Sequence, residues 1–306
     1  MGFRRGPVRV VVPATSANLG PGFDCAGLAL DIEDELIAMI SDDEGVLIEA
    51  EGEGCQDIPL DASHLVARAM ALAFARMDEL PSGFVLRCRN AIPHGRGLGS
   101  SAAAIIGGLV LARAMVEDGP RRFSDDDLLQ WAITMESHPD NVSAALHGGL
   151  TFAWLSDGKR AACIRVDPHP QIVPILVIPT EQVATSHART ALPSTVPLQD
   201  AAFNLARASL LVHALTKDPS LLLEATADRL HQQARRSMYA SSMEMVDALR
   251  EAGLPATISG AGPSVIVLGS TADVPAVQRH AGDGWLVRPS RVTPSGAHEE
   301  PVGLAP

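Results

Sequence analysis

The β-branched residues of VRVVV, at positions 8–12, predict a buried strand, which Pro13 is expected to end. Alternation or short apolar runs at 36–40, 46–48 and 84–92 predict further strands. Residues 65–77 instead place apolar positions at helical spacing among many alanines. A run of small and aliphatic residues from 100 to 115 predicts a long helix. Another is predicted over 128–135, with Ser124 as N-cap and three aspartates in its first turn, until HPDN and the pair Gly148 and Gly149 interrupt it. Beyond about residue 157 the pattern restarts. It predicts a strand at 172–178, helices at 200–215, 221–231 and 243–252, and strands at 256–258 and 265–268 around the glycine turn SGAGP. A boundary is expected where DGKR and PHPQ read as linker, dividing the chain into 1–160 and 161–288. The polar, proline- and glycine-rich stretch 289–306 is expected to be a disordered tail.

Composition narrows the function. The 306 residues are 46% hydrophobic and 20% charged, as in a globular protein, and the formal net charge is −12. Nucleic-acid binding through phosphate neutralisation is therefore not expected, and any anion must be held by a local site. The four cysteines form no CxxC, which argues against a zinc cluster or a disulfide framework and for a reducing cytoplasm. No stretch approaches the roughly 20 apolar residues of a membrane span. The short apolar run after the first residues is too brief for a secretory leader.

The segment IPHGRGLGSSAAAIIGGLVLARAM, residues 92–115, sets three glycines and two serines just before a predicted helix. A helix starting at Ser100 leaves its first amides without intrahelical acceptors, and these face the loop together with the positive end of the helix dipole. Glycines allow close backbone approach to phosphate oxygens, and a serine hydroxyl can ligate Mg²⁺. Three plainer readings compete. An ordinary strand-to-helix turn does not need so dense a pattern. A Walker A loop needs a lysine that is missing here. The GxGxxA match from Gly97 to Ala102 suggests a dinucleotide site, but the acidic residues that follow, Asp125 to Asp127, open a helix rather than end a strand.

The loop resembles the second motif of the GHMP kinases, the small-molecule kinases named for galactose, homoserine, mevalonate and phosphomevalonate. Their pattern, Pro-x3-Gly-Leu-Gly-Ser-Ser-Ala, is matched at every fixed position along Pro93, His94, Gly95, Arg96, Gly97, Leu98, Gly99, Ser100, Ser101 and Ala102. PATSANLGPGFDCAGLAL at 13–30 looks like the first motif of the homoserine kinases within that family, and SGAGPSV at 259–265 like the third. ESHPDNVSAALHGG at 136–149 is similar to their EGHPDN stretch. Ser137 departs from a common glycine, and His64 from an asparagine that many members carry near adenine. The resemblance spans residues 8–268. It implies an α+β two-domain GHMP kinase fold, ribosomal protein S5 domain 2-like in its N-terminal unit and ferredoxin-like in its C-terminal unit. It also implies ATP-dependent phosphorylation of the L-homoserine hydroxyl with Mg²⁺, the triphosphate being wrapped by loop amides with Arg96 a candidate helper.

Phosphoryl transfer asks for positioning and charge neutralisation more than covalent work. Glu136 is a candidate Mg²⁺ ligand opposite the serine pair, of which the resemblance implies Ser101 as the hydroxyl ligand and Ser100 next; alone it would read as a solvated helix-end carboxylate. The resemblance implies that Asn18 and Asp24 recognise the amino alcohol, with His138, Asp140 and Gly260 completing the pocket. By the same resemblance, Arg189 and Arg235 clamp the substrate carboxylate, although each arginine taken singly would read as a surface residue. Asn141 stands where mevalonate kinases carry an aspartate. An amide cannot accept the hydroxyl proton, so the proton is expected to pass to the γ-phosphate and no residue is assigned as base. His138 is read as a hydrogen-bonding partner. Two alternatives stay open: a kinase for another small hydroxy amino acid such as threonine, and a non-catalytic ligand sensor on the same fold. The expected partner is a small molecule, with neither nucleic acid nor membrane, and a homodimer is left open.

Overall fold

The computed structural model describes residues 2–180 and 191–302. Its N-terminal half runs β1 (Val8–Ala17), β2 (Ala26–Ser41), β3 (Gly45–Gly52), α1 (Leu65–Met77), β4 (Gly83–Asn90), α2 (Ser100–Met115), α3 (Gly119–Arg122), α4 (Asp125–Ile133), α5 (Pro139–His147), β5 (Leu150–Ser156) and β6 (Arg160–Val166). The C-terminal half adds β7 (Val173–Pro179), α6 (Leu198–Thr216), α7 (Leu222–Ala225), α8 (Ala240–Glu251), β8 (Ala256–Ile258), β9 (Val265–Gly269), α9 (Val274–Ala281), β10 (Trp285–Pro289) and β11 (His298–Glu300). Seven strands form one sheet, ordered β11-β1-β2-β4-β3 with the β5-β6 hairpin also on β2. A second sheet is ordered β10-β7-β9-β8. This is the expected α+β arrangement. Because β6 pairs with β5 along its length, the first sheet extends beyond residue 160.

Helix α2 is packed between the first sheet and α1 by two glycines. A Cβ on Gly107 would press on Leu36 Cδ1 at 2.5 Å, and one on Gly108 on the Val66 carbonyl at 2.7 Å. The second sheet shows how period-two alternation serves two cores. Leu176, Ile178, Ile266 and Leu268 join the large core shared with the N-terminal half, while Ile175, Val177, Val265 and Val267 face a smaller core with α8 and α9. The two halves thus share apolar packing. No helix among the described residues is long and apolar enough to cross a membrane.

Four expectations are corrected. Strand β1 does not stop at Pro13. It continues to Ala17, and the β1-β2 register shifts between Pro13 and Ala14, an irregularity where a residue without an N–H is tolerated. HPDN does not merely interrupt a helix: it starts α5, with Pro139 in the first turn, where the missing amide hydrogen is not needed. Of the helix expected over 221–231, the α-helical part is Leu222–Ala225. The Asp228 carboxylate captures the amides of Leu230, His231 and Gln232, offering them a turn in place of a helix. Finally, the segment expected to be a disordered tail is a strap as far as residue 302. Arg291 and Thr293 exchange backbone bonds with Asp31, Ala29 and Gly149, the Ala297 amide bonds Ala145 of α5, and β11 pairs with β1. Ion pairs Arg4–Glu299 and Arg9–Glu300 fasten its end.

Candidate active site

The glycine loop lies where three chain segments meet. Gly95, Gly97 and Gly99 all take positive φ, and two of them are also pressed against neighbours. A Cβ on Gly99 would collide with Thr15 Oγ1, and one on Gly97 with the Ser259 carbonyl oxygen. The Thr15 amide donates to Leu98 O at 3.0 Å, and the Leu98 side chain is buried. Ser259 Oγ donates to Gly97 O at 2.7 Å and is hydrogen-bonded to the Ser16 hydroxyl at 2.8 Å, while the Gly260 amide donates to Ala17 O at 3.1 Å. The end of β1, the glycine loop and the SGAGP turn are therefore one hydrogen-bonded body. Helix α2 begins at Ser100 behind its cap Gly99, so the amides of its first turn have no intrahelical acceptors.

A cavity of about 270 Å³ runs from Ser100 and Ser101 towards the start of α1. Ile58, Pro59 and Val66 supply apolar walls, and Asp34, His64 and His94 polar ones. Burial holds both imidazoles below the ordinary histidine value, so they are neutral at pH 7. His64 Nδ1 accepts from the Val66 amide and caps α1. Burial pushes the Asp34 carboxyl up to about 6, although it accepts from the amides of Ile92 and Ala91.

On the other side of the loop, Ser101 Oγ donates to Glu136 Oε2 at 3.2 Å, and His138 Nδ1 lies 3.9 Å from Glu136 Oε1. Ser137, the departure from glycine, puts its hydroxyl on the His138 ring. His138 is the N-cap residue of α5, and Asn141 follows in its first turn. Thr15 Oγ1 donates to Asn141 Oδ1 at 2.8 Å and so ties α5 to the glycine loop. Asp140 is 3% exposed and accepts from the Asn141 amide at 2.7 Å. Burial, reinforced by the charges of Asp24 and Glu136, raises its carboxyl to about 6 against the opposing pull of that bond and of His138.

Asn18 Nδ2 donates to Gly260 O at 2.9 Å and Asn18 Oδ1 accepts from the Asp24 amide at 3.0 Å, which closes the first-motif loop upon itself. Both Asn18 and Asp24 take positive φ, a conformation Asn and Asp tolerate better than most side chains. Arg235, 3% exposed, lies with its guanidinium carbon 5.5 Å from the Phe23 ring centroid. Arg189 falls outside the described residues. Arg96 is placed differently from the expected phosphate helper: its guanidinium donates to the carbonyls of Pro179 and Thr180, at the end of β7.

Residues 64–149 match the family model of the GHMP kinases N terminal domain, and residues 210–285 that of the GHMP kinases C terminal. Similar full-length relatives include the homoserine kinase of Streptomyces avermitilis, 47% identical over 98% of both chains. That of Clavibacter michiganensis is 46% identical over 86% of this chain and 83% of its own. The chain belongs to the GHMP kinases. Among solved structures, homoserine kinase from Cytophaga hutchinsonii matches this GHMP kinase with a TM-score of 0.86 at 26% identity, covering 98% of this chain and 100% of that one. The L. major mevalonate kinase in complex with R-mevalonate shares the fold, with a TM-score of 0.64 at 16% identity over 97% of each chain.

In this GHMP kinase several residues at the junction lie outside the candidate set that the motifs give. Thr15 and Ser16 are fully buried hydroxyls at the end of an apolar strand, a contrast visible in the sequence. Ser259 opens the SGAGP turn. His231 precedes Arg235 by four positions, but its contact with the first-motif loop bridges 211 residues and has no local signature.

Proposed function

We propose that the chain transfers the γ-phosphoryl group of ATP to the side-chain hydroxyl of L-homoserine in the cytoplasm, forming O-phospho-L-homoserine for threonine biosynthesis. The observation that supports this reading is the bonding of the glycine loop to the first-motif loop and the SGAGP turn, which brings the candidate phosphate loop close to Asn18, Asp24 and Gly260. The amides that open α2 face the triphosphate, and the cavity walled by Ile58, Pro59, His64 and His94 takes the nucleoside. Ser101 and Glu136, a hydroxyl and a carboxylate 3.2 Å apart, are the hard oxygen donors Mg²⁺ favours, and they would hold it against the phosphates. There it would neutralise developing charge on the transferred group.

The residues of the chain then position the acceptor. Asp24, Asp140 and His138 surround the ammonium end, and Arg235 with Arg189 binds the carboxylate through charge-assisted hydrogen bonds. Asn141, its Oδ1 already engaged by Thr15, has no basic atom free to accept a proton, so the hydroxyl proton passes to a γ-phosphate oxygen. An ADP-release assay with homoserine, threonine, mevalonate and galactose tests this reading. Homoserine should exceed each of the others by at least about a hundredfold in kcat/KM. Equal turnover of threonine would replace the substrate, and binding of ATP and homoserine without turnover would favour a sensor.

A further inference from the structure

We infer that His231 is a positioning residue for the substrate carboxylate, holding the Arg235 guanidinium in register with the first-motif loop. The inference rests on the reading above, in which Arg235 binds the carboxylate of homoserine. Three contacts define the role. His231 Nε2 lies 2.9 Å from the carbonyl oxygen of Gly20, which can only accept, so this nitrogen carries the hydrogen and donates. The Nδ1 of the neutral ring is then a lone pair, and Arg235 Nη1 donates to it at 3.2 Å. The imidazole also stacks on Phe23, with centroids 5.0 Å apart and planes at 25°, in the loop that carries Asp24. One ring thus links the guanidinium of the C-terminal half to the loop of the N-terminal half.

The surroundings favour this single state of the ring. His231 is fully buried, and burial lowers its pKa, with Arg235 acting in the same direction. Asp228, 3.8 Å from Nε2, and Asp24 oppose that shift. Asp228 is, however, occupied by three backbone amides and by Asn204, whose Nδ2 donates to it at 2.8 Å. A protonated ring would carry a hydrogen on both nitrogens and lose the acceptor that Arg235 uses.

Two substitutions separate the contacts. His231→Asn keeps an acceptor near the Nδ1 position, and His231→Gln keeps a donor near the Nε2 position. If the ring positions Arg235, His231→Gln raises the homoserine KM about five- to tenfold with little change in kcat or in the ATP KM, and His231→Asn recovers most of the loss. With 3-aminopropan-1-ol, which lacks the carboxylate, His231→Gln should raise the KM much less than it does with homoserine. Arg235→Ala is the reference. If it does not impair homoserine selectively over the amino alcohol, the carboxylate assignment of Arg235 fails. If it does so while His231→Gln leaves the homoserine KM unchanged, or impairs both acceptors equally, the positioning role fails. A measurement on the wild-type protein needs no variant: saturation with homoserine should shift the His231 Nδ1 resonance and saturation with 3-aminopropan-1-ol should not, and an unmoved or equally moved resonance overturns the inference.

Discussion

Replacing Asp140 with asparagine should stabilise the protein at neutral pH and abolish most of its activity. Asp140 is 3% exposed, and its carboxyl is raised from the ordinary 3.8 to about 6, chiefly by burial. Between pH 3.8 and 6 the folded chain therefore binds a proton that the unfolded chain has released. Unfolding free energy then falls as pH rises through that window, and the loss is complete above about pH 6. At 1.36 kcal/mol for each pKa unit, the rise from 3.8 to about 6 corresponds to about 3 kcal/mol, an order-of-magnitude figure. Asparagine keeps an Oδ1 for the Asn141 amide and carries no charge to desolvate. Thermal unfolding of the variant and wild type, followed by circular dichroism from pH 4 to 7.5, should show a difference that grows through the window and then levels off. By pH 7.5 it should have moved in the variant's favour by roughly 5–10 °C relative to pH 4. ADP release at pH 7.5 should meanwhile show a large rise in homoserine KM, since a buried anion retained at such a cost serves the ammonium of the substrate. A difference in stability that does not change with pH would refute the desolvation reasoning, and a stabilised variant with normal KM would remove Asp140 from the pocket.

Glu136→Gln replaces an anionic oxygen next to Ser101 with an amide and should lower kcat by more than about tenfold while moving the Mg²⁺ dependence to higher concentration; near-normal turnover at limiting Mg²⁺ would remove Glu136 as a ligand. Deleting the residues after Pro289 removes the strap and its bonds to Asp31, Ala29, Gly149 and Ala145, so the melting temperature should drop by about 5 °C or more, and an unchanged transition would mean that the strap contributes nothing to the fold.

The glycine loop, the start of α2, the α1 span and the Ser124 cap were all legible in the sequence, because each depends on contacts within a few residues. The motifs that carry Asn18, Glu136, Asn141 and Gly260 are likewise legible from spacing, and these side chains and backbone groups bond partners around the glycine-loop junction. The sequence could not say that Arg96 turns to the β7 end, that Pro13 sits at a register shift, or that Asp228 converts a helix-like stretch into a turn. Arg96 answers to carbonyls brought near by folding, Pro13 to its pairing with β2, and Asp228 to amides two to four residues on, and apolar periodicity registers none of these. The strap shows the limit most plainly. A polar, proline-rich composition reads as unable to bury a core, yet its order comes from backbone hydrogen bonds and ion pairs to the first sheet and α5. By itself the sequence determined which candidate groups for phosphate, metal and amino acid are present, since these follow from residue type and short spacing. Only the tertiary structure decided which of them meet, because closing Thr15 on Asn141, Ser259 on Gly97 and His231 on Gly20 requires segments 126, 162 and 211 residues apart to pack on a common core.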